Sequence, residues 1–360
     1  MPEPPVSGAH HHPRRLRGAR VRGDYVMRWL QWGTIDFEKG MGGVEMHVRC
    51  LSRELRARGV TAEMSCDPAA LHEEWDVVHT HGSMSAERLL HPRPGTLRLH
   101  TLHGVTLDRM KACGEWLYMG GYRAYFREAS AVNRSDGVLS IHDQLSLYQR
   151  AQQRAKPTRV CGNAWDASVA RDAVPSKRVL AVLEQRGARP MWLFIGRGLD
   201  YVKGSDLLVE ALARDPRLTE ELFWAAVPGE GFEHCPLIHQ SGPLTSEDIE
   251  VLLREATGLV IPSRYEGLPL VALEALAQGT PVVAHAVGGL LTIPRAVQGL
   301  TLVEPGNFPL FSSAIFSAPE GESRQMRRDA NRVLLPTWSK VAEHALSLVE
   351  EIRRSPKYAL

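Results

Sequence analysis

Two glutamates eight positions apart stand in the stretch of this chain best suited to chemistry, PSRYEGLPLVALEALAQG, from Pro262 to Gly279. The apolar run Gly258–Ile261 before it predicts a strand. Pro269 fits the first turn of a following helix and Gly279 its end. In that arrangement the backbone N–H groups of Gly267 and Leu268 face a cleft with the helix dipole behind them, a site for anionic or hydroxyl oxygens. Leu270 belongs to the same first turn. Glu266 lies at the helix mouth, and Glu274 lies five residues beyond Pro269, about 7.5 Å along the axis. Carboxylates so placed would bracket an extended ligand. The plainer reading makes Glu274 a solvated helix residue and Glu266 a favourable charge at a helix N-terminus.

A second constellation is Phe194-Ile195-Gly196-Arg197 with Lys203-Gly204, again where a strand gives way to a helix. Two cations there would neutralise a diphosphate and stabilise charge that develops on a leaving group. The plainer reading of Arg197 is half of an ion pair that closes the domains, and it is the less favoured of the two. The run Gly196-x-Gly198-x-x-Tyr201 mimics a dinucleotide fingerprint, but Tyr201 stands where a third small residue is needed. Gly42 and Gly43 open the first helix, where a backbone without Cβ atoms approaches a phosphate closely. Histidines follow two strands, as His79-Thr80-His81-Gly82 and His100-Thr101-Leu102-His103-Gly104. Strand ends are where such folds build sites. A metal at His79 and His81 lacks a nearby carboxylate or cysteine to complete it. His81 reads as readily as a capping or core residue.

The elements that must position these residues alternate apolar strands with amphipathic helices, the pattern of parallel α/β sheets. Strands are predicted at Tyr25–Thr34, Thr61–Ser65, Asp76–His79, Leu97–Leu102 and Gly137–Ile141, with the first half ending near Val160–Asn163. The first helix turns Val44, Val48, Leu51 and Leu55 to one side, and Gly59 closes it. After a polar linker from Asp166 to Lys177, strands are predicted at Met191–Ile195, Leu222–Ala226, Gly258–Ile261, Pro281–Ala284 and Leu300–Val303. A last helix runs from Trp338 to about Ile352. The pattern predicts two doubly wound domains with a cleft between the carboxyl ends of their strands.

Composition narrows the function classes. At 360 residues, 44% hydrophobic and 23% charged, the chain suits two soluble globular domains. A net charge of +2 is too mild to imply nucleic acid. Five cysteines without a CxxC pair point to reduced thiols in a cytosol. No apolar run reaches the roughly 18 residues that span a membrane, and the N-terminus has no signal-like apolar core. A cytoplasmic location is therefore expected. Residues 1–24, with His10-His11-His12 and Arg14, Arg15, Arg17, Arg20 and Arg22, are expected to be a disordered basic arm. Met27 offers an alternative start. With Arg49, Arg53, Arg56 and Arg58 on the first helix, that arm would allow peripheral contact with the inner face of a membrane, although a charge run is more often a solvated face.

The run EGLPLVALEALAQGTPVVA, with Glu266 and Glu274 in register, resembles the signature of glycosyltransferase family 4, and the likeness extends over nearly the whole chain after Met27. That family is retaining and has the GT-B architecture, two Rossmann-like domains facing across a cleft. The resemblance implies an acceptor-side domain over residues 25–163, a donor-binding domain over 164–336, and a terminal helix, 337–360, packing back on the first. It implies a nucleotide diphosphate sugar as donor, with no cofactor and no metal. Arg197 and Lys203 match the family's phosphate-binding pair, Gly42 and Gly43 its glycine loop, and His103 its His-Gly after the fourth strand. Glu266, Gly267, Leu268 and Leu270 would orient the sugar, and Glu274 would take the ribose. Arg197, Lys203, Glu266 and His103 are thus the expected catalytic group. Val138–His142, Cys161-Gly162-Asn163 and Val303–Asn307 match weaker family segments, the second with Cys161 and Gly162 replacing the usual residues. The chain is short between Ser65 and Trp75, which leaves the acceptor open. Rival readings are a sugar-nucleotide epimerase and a non-catalytic sugar-nucleotide-binding protein of the same fold.

Overall fold

The computed structural model describes residues 26–40, 42–82, 95–117, 119–143, 156–168, 174–197, 200–229, 231–318 and 324–355. The basic arm, residues 169–173 of the linker, and Gly198 of the dinucleotide-like run lie outside the described residues. Among those described, twelve strands form two parallel sheets of six. The first holds β1 (Arg28–Trp32), β2 (Thr61–Ser65), β3 (Val77–His81), β4 (Leu97–Leu102), β5 (Gly137–Ser140) and β6 (Thr158–Val160), in the order β2-β1-β3-β4-β5-β6. The second holds β7 (Met191–Gly196), β8 (Phe223–Pro228), β9 (Ile238–Gln240), β10 (Gly258–Ile261), β11 (Val282–His285) and β12 (Leu300–Val303), in the order β12-β11-β10-β7-β8-β9. Each sheet has a switch point, β1 beside β3 and β7 beside β10, where successive crossovers leave on opposite sides and a crevice opens.

Strands buried on both faces of a parallel sheet read as unbroken apolar runs. MWLFIG at β7 and GLVI at β10 do so, and all but Ile195 and Gly196 are buried. The first helix, Gly43–Ala57, buries Val48, Leu51 and Leu55 but leaves Val44 partly open. The last helix, Trp338–Arg353, puts Trp338, Val341, Ala345, Leu348 and Ile352 into one cluster with Leu51, Leu55, Leu99 and Leu139 of the first half.

Several elements depart from the sequence reading. The first strand is shorter than Tyr25–Thr34. β3 runs on to His81, because Thr80 and His81 pair with His100 and Thr101 of β4. β6 and β9, three residues each, were not predicted; Thr158 and Arg159 are half-buried and show no alternation to betray a strand. No helix among the described residues is long and apolar enough to cross a membrane.

Candidate active site

The donor-side constellation assembles at the β7/β10 switch point. Beyond β7, the turn Tyr201–Lys203 is capped by Asp200, whose carboxylate accepts from the Val202 N–H at 3.1 Å. The turn aims Lys203 at Glu266, with Nζ 2.9 and 3.0 Å from the two carboxylate oxygens. Ser263 donates its hydroxyl to the same carboxylate at 2.6 Å. Glu266 is buried and fully paired. Lys203 is therefore committed to holding Glu266. Arg197, whose side chain is 79% exposed, makes only a loose contact with Asp200 at 3.6 Å among the described residues and remains the open cation of the pair. Arg264 is locked between Asp206, at 2.6 and 2.7 Å, and the ring of Tyr201, which braces the turn.

The segment from Tyr265 to Leu268 is tied down on both sides. Glu266 O accepts from Gly289 N–H at 3.2 Å. A Cβ at Gly288 or Gly289 would overlap the carbonyl oxygens of Glu266 and Gly267 respectively, so the backbones approach as only glycine allows. Toward the first half, a Cβ at Gly267 would overlap His103 O, Val105 N–H donates to Tyr265 Oη at 2.6 Å, and Asn163 Nδ2 donates to Leu268 O at 2.7 Å. The helix Leu270–Ala277 starts there, with Pro269 before it. Gly43 faces Leu270, near enough that an added Cβ would sit 4.0 Å from its Cδ1. The two helix N-termini thus meet across the cleft. The Glu45 side chain lies over Gly40 and Gly42, and Met41 of that loop is outside the described residues.

Glu274 stands apart from this group. It is partly open, and burial, with Asp166 and Glu250 nearby, raises its carboxyl to about 7. No described hydrogen bond or ion pair engages it.

The opposing wall is made of histidines. His103 Nε2 lies 2.9 Å from His81 Nδ1, and His81 Nε2 lies 2.7 Å from Gln31 Oε1. His79 Nε2 contacts Thr101 Oγ1 at 2.6 Å, His100 Nδ1 contacts Thr80 Oγ1 at 2.9 Å, and His47 Nδ1 contacts Asn163 Oδ1 at 2.8 Å. Burial holds His47 and His100 down to about 4 and His79, His81 and His103 well below their ordinary range, the last three also through neighbouring histidines. These rings are neutral hydrogen-bonding groups. Among the described residues no set of three or more His, Cys, Asp or Glu is arranged to hold a metal ion. The structure also engages the arginine face of the first helix internally: Arg49 bonds Phe37 O and Gly40 O, Arg53 pairs with Asp166, Arg56 bonds Ala62 O, and Arg58 bonds Ser339.

Sequence reasoning named Arg197, Lys203, Glu266, Gly267, Leu268, Leu270, Gly43 and His103, and the structure gathers them around one cleft. It did not name Ser263, Tyr265, Gly288, Gly289, Gln31 or His47. The signals available were a second Gly-Gly pair after a strand and a buried glutamine in β1.

Residues 189–318 match the family described as Glycosyl transferases group 1. A D-inositol 3-phosphate glycosyltransferase of a Nocardioides species is 26% identical over 79% of this chain and 69% of its own length. Its namesake from Geodermatophilus obscurus is 31% identical over 76% of this chain and 66% of its own. The chain thus spans about two thirds of these relatives. Among solved structures, sucrose-phosphate synthase from Thermosynechococcus elongatus superposes with a TM-score of 0.74 over 91% of this chain and 99% of that one, at 21% identity. With the motif, the two switch-point sheets and the assembled cleft, these matches fix the assignment: the chain belongs to the group 1 glycosyltransferases and has the two-domain GT-B fold.

Proposed function

We propose that the protein transfers a sugar from a nucleotide diphosphate to an acceptor with retention of configuration and without a metal. One observation carries this reading: a buried Glu266, ion-paired to Lys203 beside two backbone amides, in a loop whose Gly267 packs against the His103 carbonyl, with the open cation Arg197 on the segment that leads to Lys203. The diphosphate would lie across the helix mouths with Arg197 on it. Glu266, held by Lys203 and Ser263, would accept from sugar hydroxyls, and His103 would bond the sugar from the opposite wall. Glu274 would take the ribose. As the bond to the leaving phosphate breaks, Arg197 and the amides stabilise the charge it gains, and that phosphate takes the acceptor proton on the same face. No Asp-x-Asp pair occurs in the sequence to hold a metal against the diphosphate.

The names of the relatives support a phosphorylated polyol, of the inositol phosphate kind, as the first acceptor to try. A second acceptor class, one carried at a lipid surface, is favoured by a separate feature. Trp116, Leu117, Met119 and Phe126 are 47%, 97%, 70% and 66% exposed, with Lys111 and Arg123 exposed among them. Apolar surface gathered this way marks an interaction site more often than scattered exposed residues do. The membrane contact proposed for this chain therefore moves from the engaged arginines of the first helix to this patch. NMR analysis of products formed with EDTA present, from a panel of sugar nucleotides with inositol phosphate or a lipid-linked acceptor, tests both. Retained configuration is expected. Inversion, activity lost to chelation and restored by magnesium, or release of an epimer without transfer would each defeat the reading.

A further inference from the structure

We propose that Asn163, fixed by His47, is a positioning residue that sets the Gly267–Leu268 backbone from the other half of the molecule; this rests on the diphosphate reading of that loop. Leu268 O can only accept, so the group 2.7 Å from it is the Asn163 NH2, and the carboxamide has a single orientation. Its Oδ1 must then accept from the atom 2.8 Å away, His47 Nδ1. His47 is neutral at physiological pH, so its one ring proton sits on Nδ1. Its Nε2 lone pair is left bare, and that atom is buried with no hydrogen-bond partner among the described residues. His47 is wholly buried and Asn163 is 4% exposed, so water does not compete for either bond.

The place of this chain in the loop gives it a role. Three consecutive carbonyls run through the loop. Glu266 O is held by Gly289 N–H, and Gly267 O packs against Gly289, both within the second half. Leu268 O is held only by Asn163 among the described residues, just before the Leu270–Ala277 helix begins. His47 lies one turn beyond Gly43, where the first helix starts. A line of hydrogen bonds thus joins the helix that opens at Gly43 to the loop that would meet the donor diphosphate. Displacing the carboxamide leaves Leu268 O buried without a donor and frees the peptide planes that aim the amides.

Inorganic pyrophosphate is the probe, since it reports on the amides without assuming a base or a sugar. Asn163→Ala and His47→Phe are expected to weaken its binding about tenfold each, as loss of one such bond does. His47→Asn, which keeps a donor at the Nδ1 position, should recover most of the affinity. The double variant Asn163→Ala/His47→Phe should lose no more than either alone. Thermal melting identifies any variant that fails to fold, and 15N spectra of histidine-labelled protein read the tautomer directly. A folded Asn163→Ala that binds pyrophosphate as the wild type does overturns the proposal. So does a His47 ring protonated on Nε2. Failure of the wild type to bind pyrophosphate would instead sink the diphosphate reading, with the tautomer still reporting whether the His47–Asn163 bond exists.

Discussion

The two halves are built alike and furnish their switch points with opposite chemistry. In the second, the strands bury almost nothing polar; His285, at the end of β11, is the single buried polar side chain on a strand of that half among the described residues. Its site rises in the loops, as ion pairs: Lys203 with Glu266, Arg264 with Asp206, Arg197 loosely with Asp200. In the first, polarity enters the strands themselves, with Gln31, His79, Thr80, His81, His100 and Thr101 all buried. There the desolvated groups are neutral and bonded to one another. Under the proposed reading, the loops with their ion pairs would meet the charged diphosphate, and the neutral rings would meet the hydroxyls of a sugar.

The contrast breaks first at the charges. Arg197→Ala and Lys203→Ala are each expected to lower turnover about a hundred- to thousandfold, roughly 2.7–4 kcal/mol of transition-state stabilisation. They should separate in stability. Arg197 is exposed and loosely paired, and its loss should leave the melting midpoint within error. Loss of Lys203 strands a buried carboxylate and should cost about 3 kcal/mol. Glu266→Gln added to Lys203→Ala should restore stability but not turnover. Equal stability of the two single variants would show that the ion pair does not hold Glu266.

Acid tests the other half. His47 and His100 fall from an ordinary 6.5 to about 4 in the folded protein because they are buried. Between those values the unfolded chain binds protons that the native rings refuse, so stability rises with pH across the window and is lost as pH falls through it. Each should cost about 2 kcal/mol at pH 5 and about 3 kcal/mol by pH 4. Hydrogen exchange at pH 5 should open β1, β3 and β4 before β7 and β10. Uniform opening of both sheets would remove the contrast.

What the sequence disclosed follows the same divide. The second half was legible because its strands are apolar runs and its motif carries Pro269 and Gly279 as boundaries. β3 was read as ending at His79, since Thr80 and His81 look like loop residues until their partners on β4 are known. Lys203 and Glu266 were each read as facing ligand. They are 63 positions apart, and no spacing rule shows that one holds the other. Tyr265 was passed over beside Glu266 because its partner is a backbone N–H 160 positions away.

Glycines sharpen the comparison at smaller cost. Gly288 has φ near 50° and no room for a Cβ against Glu266 O, so Gly288→Ala should cost about 1–3 kcal/mol and displace the donor loop. Among the described residues Gly43 has only Leu270 Cδ1 within reach, at 4.0 Å. Gly43→Ala should melt as the wild type does yet bind a sugar nucleotide more weakly, because the space above it would belong to the ligand. Loss of stability in Gly43→Ala, with binding intact, would reassign that glycine to the fold.

Glu274 is an acidic side chain near the site for which no hydrogen bond or ion pair is described, and its effect should be the smallest. Burial first, then Asp166 and Glu250, raise its carboxyl to about 7. Below the unfolded value near 4.5 both states hold the proton. From there to 7 the native state keeps a proton that the unfolded chain releases, so this group's contribution to stability is lost as pH rises. Donor binding should run the other way. Ribose hydroxyls donate to a carboxylate more strongly than to a neutral acid, a difference of about 1 kcal/mol or roughly fivefold in affinity. The dissociation constant of a bound sugar nucleotide, measured by calorimetry between pH 6 and 8.5, should therefore fall about fivefold through pH 7. Glu274→Gln should flatten the curve at its weaker, acid limit. The buried histidines of the opposing wall, His47, His79, His81, His100 and His103, titrate far lower and leave this window clear. A wild-type curve already flat, or a step that survives Glu274→Gln, would mean that Glu274 is a helix residue and the ribose is held elsewhere.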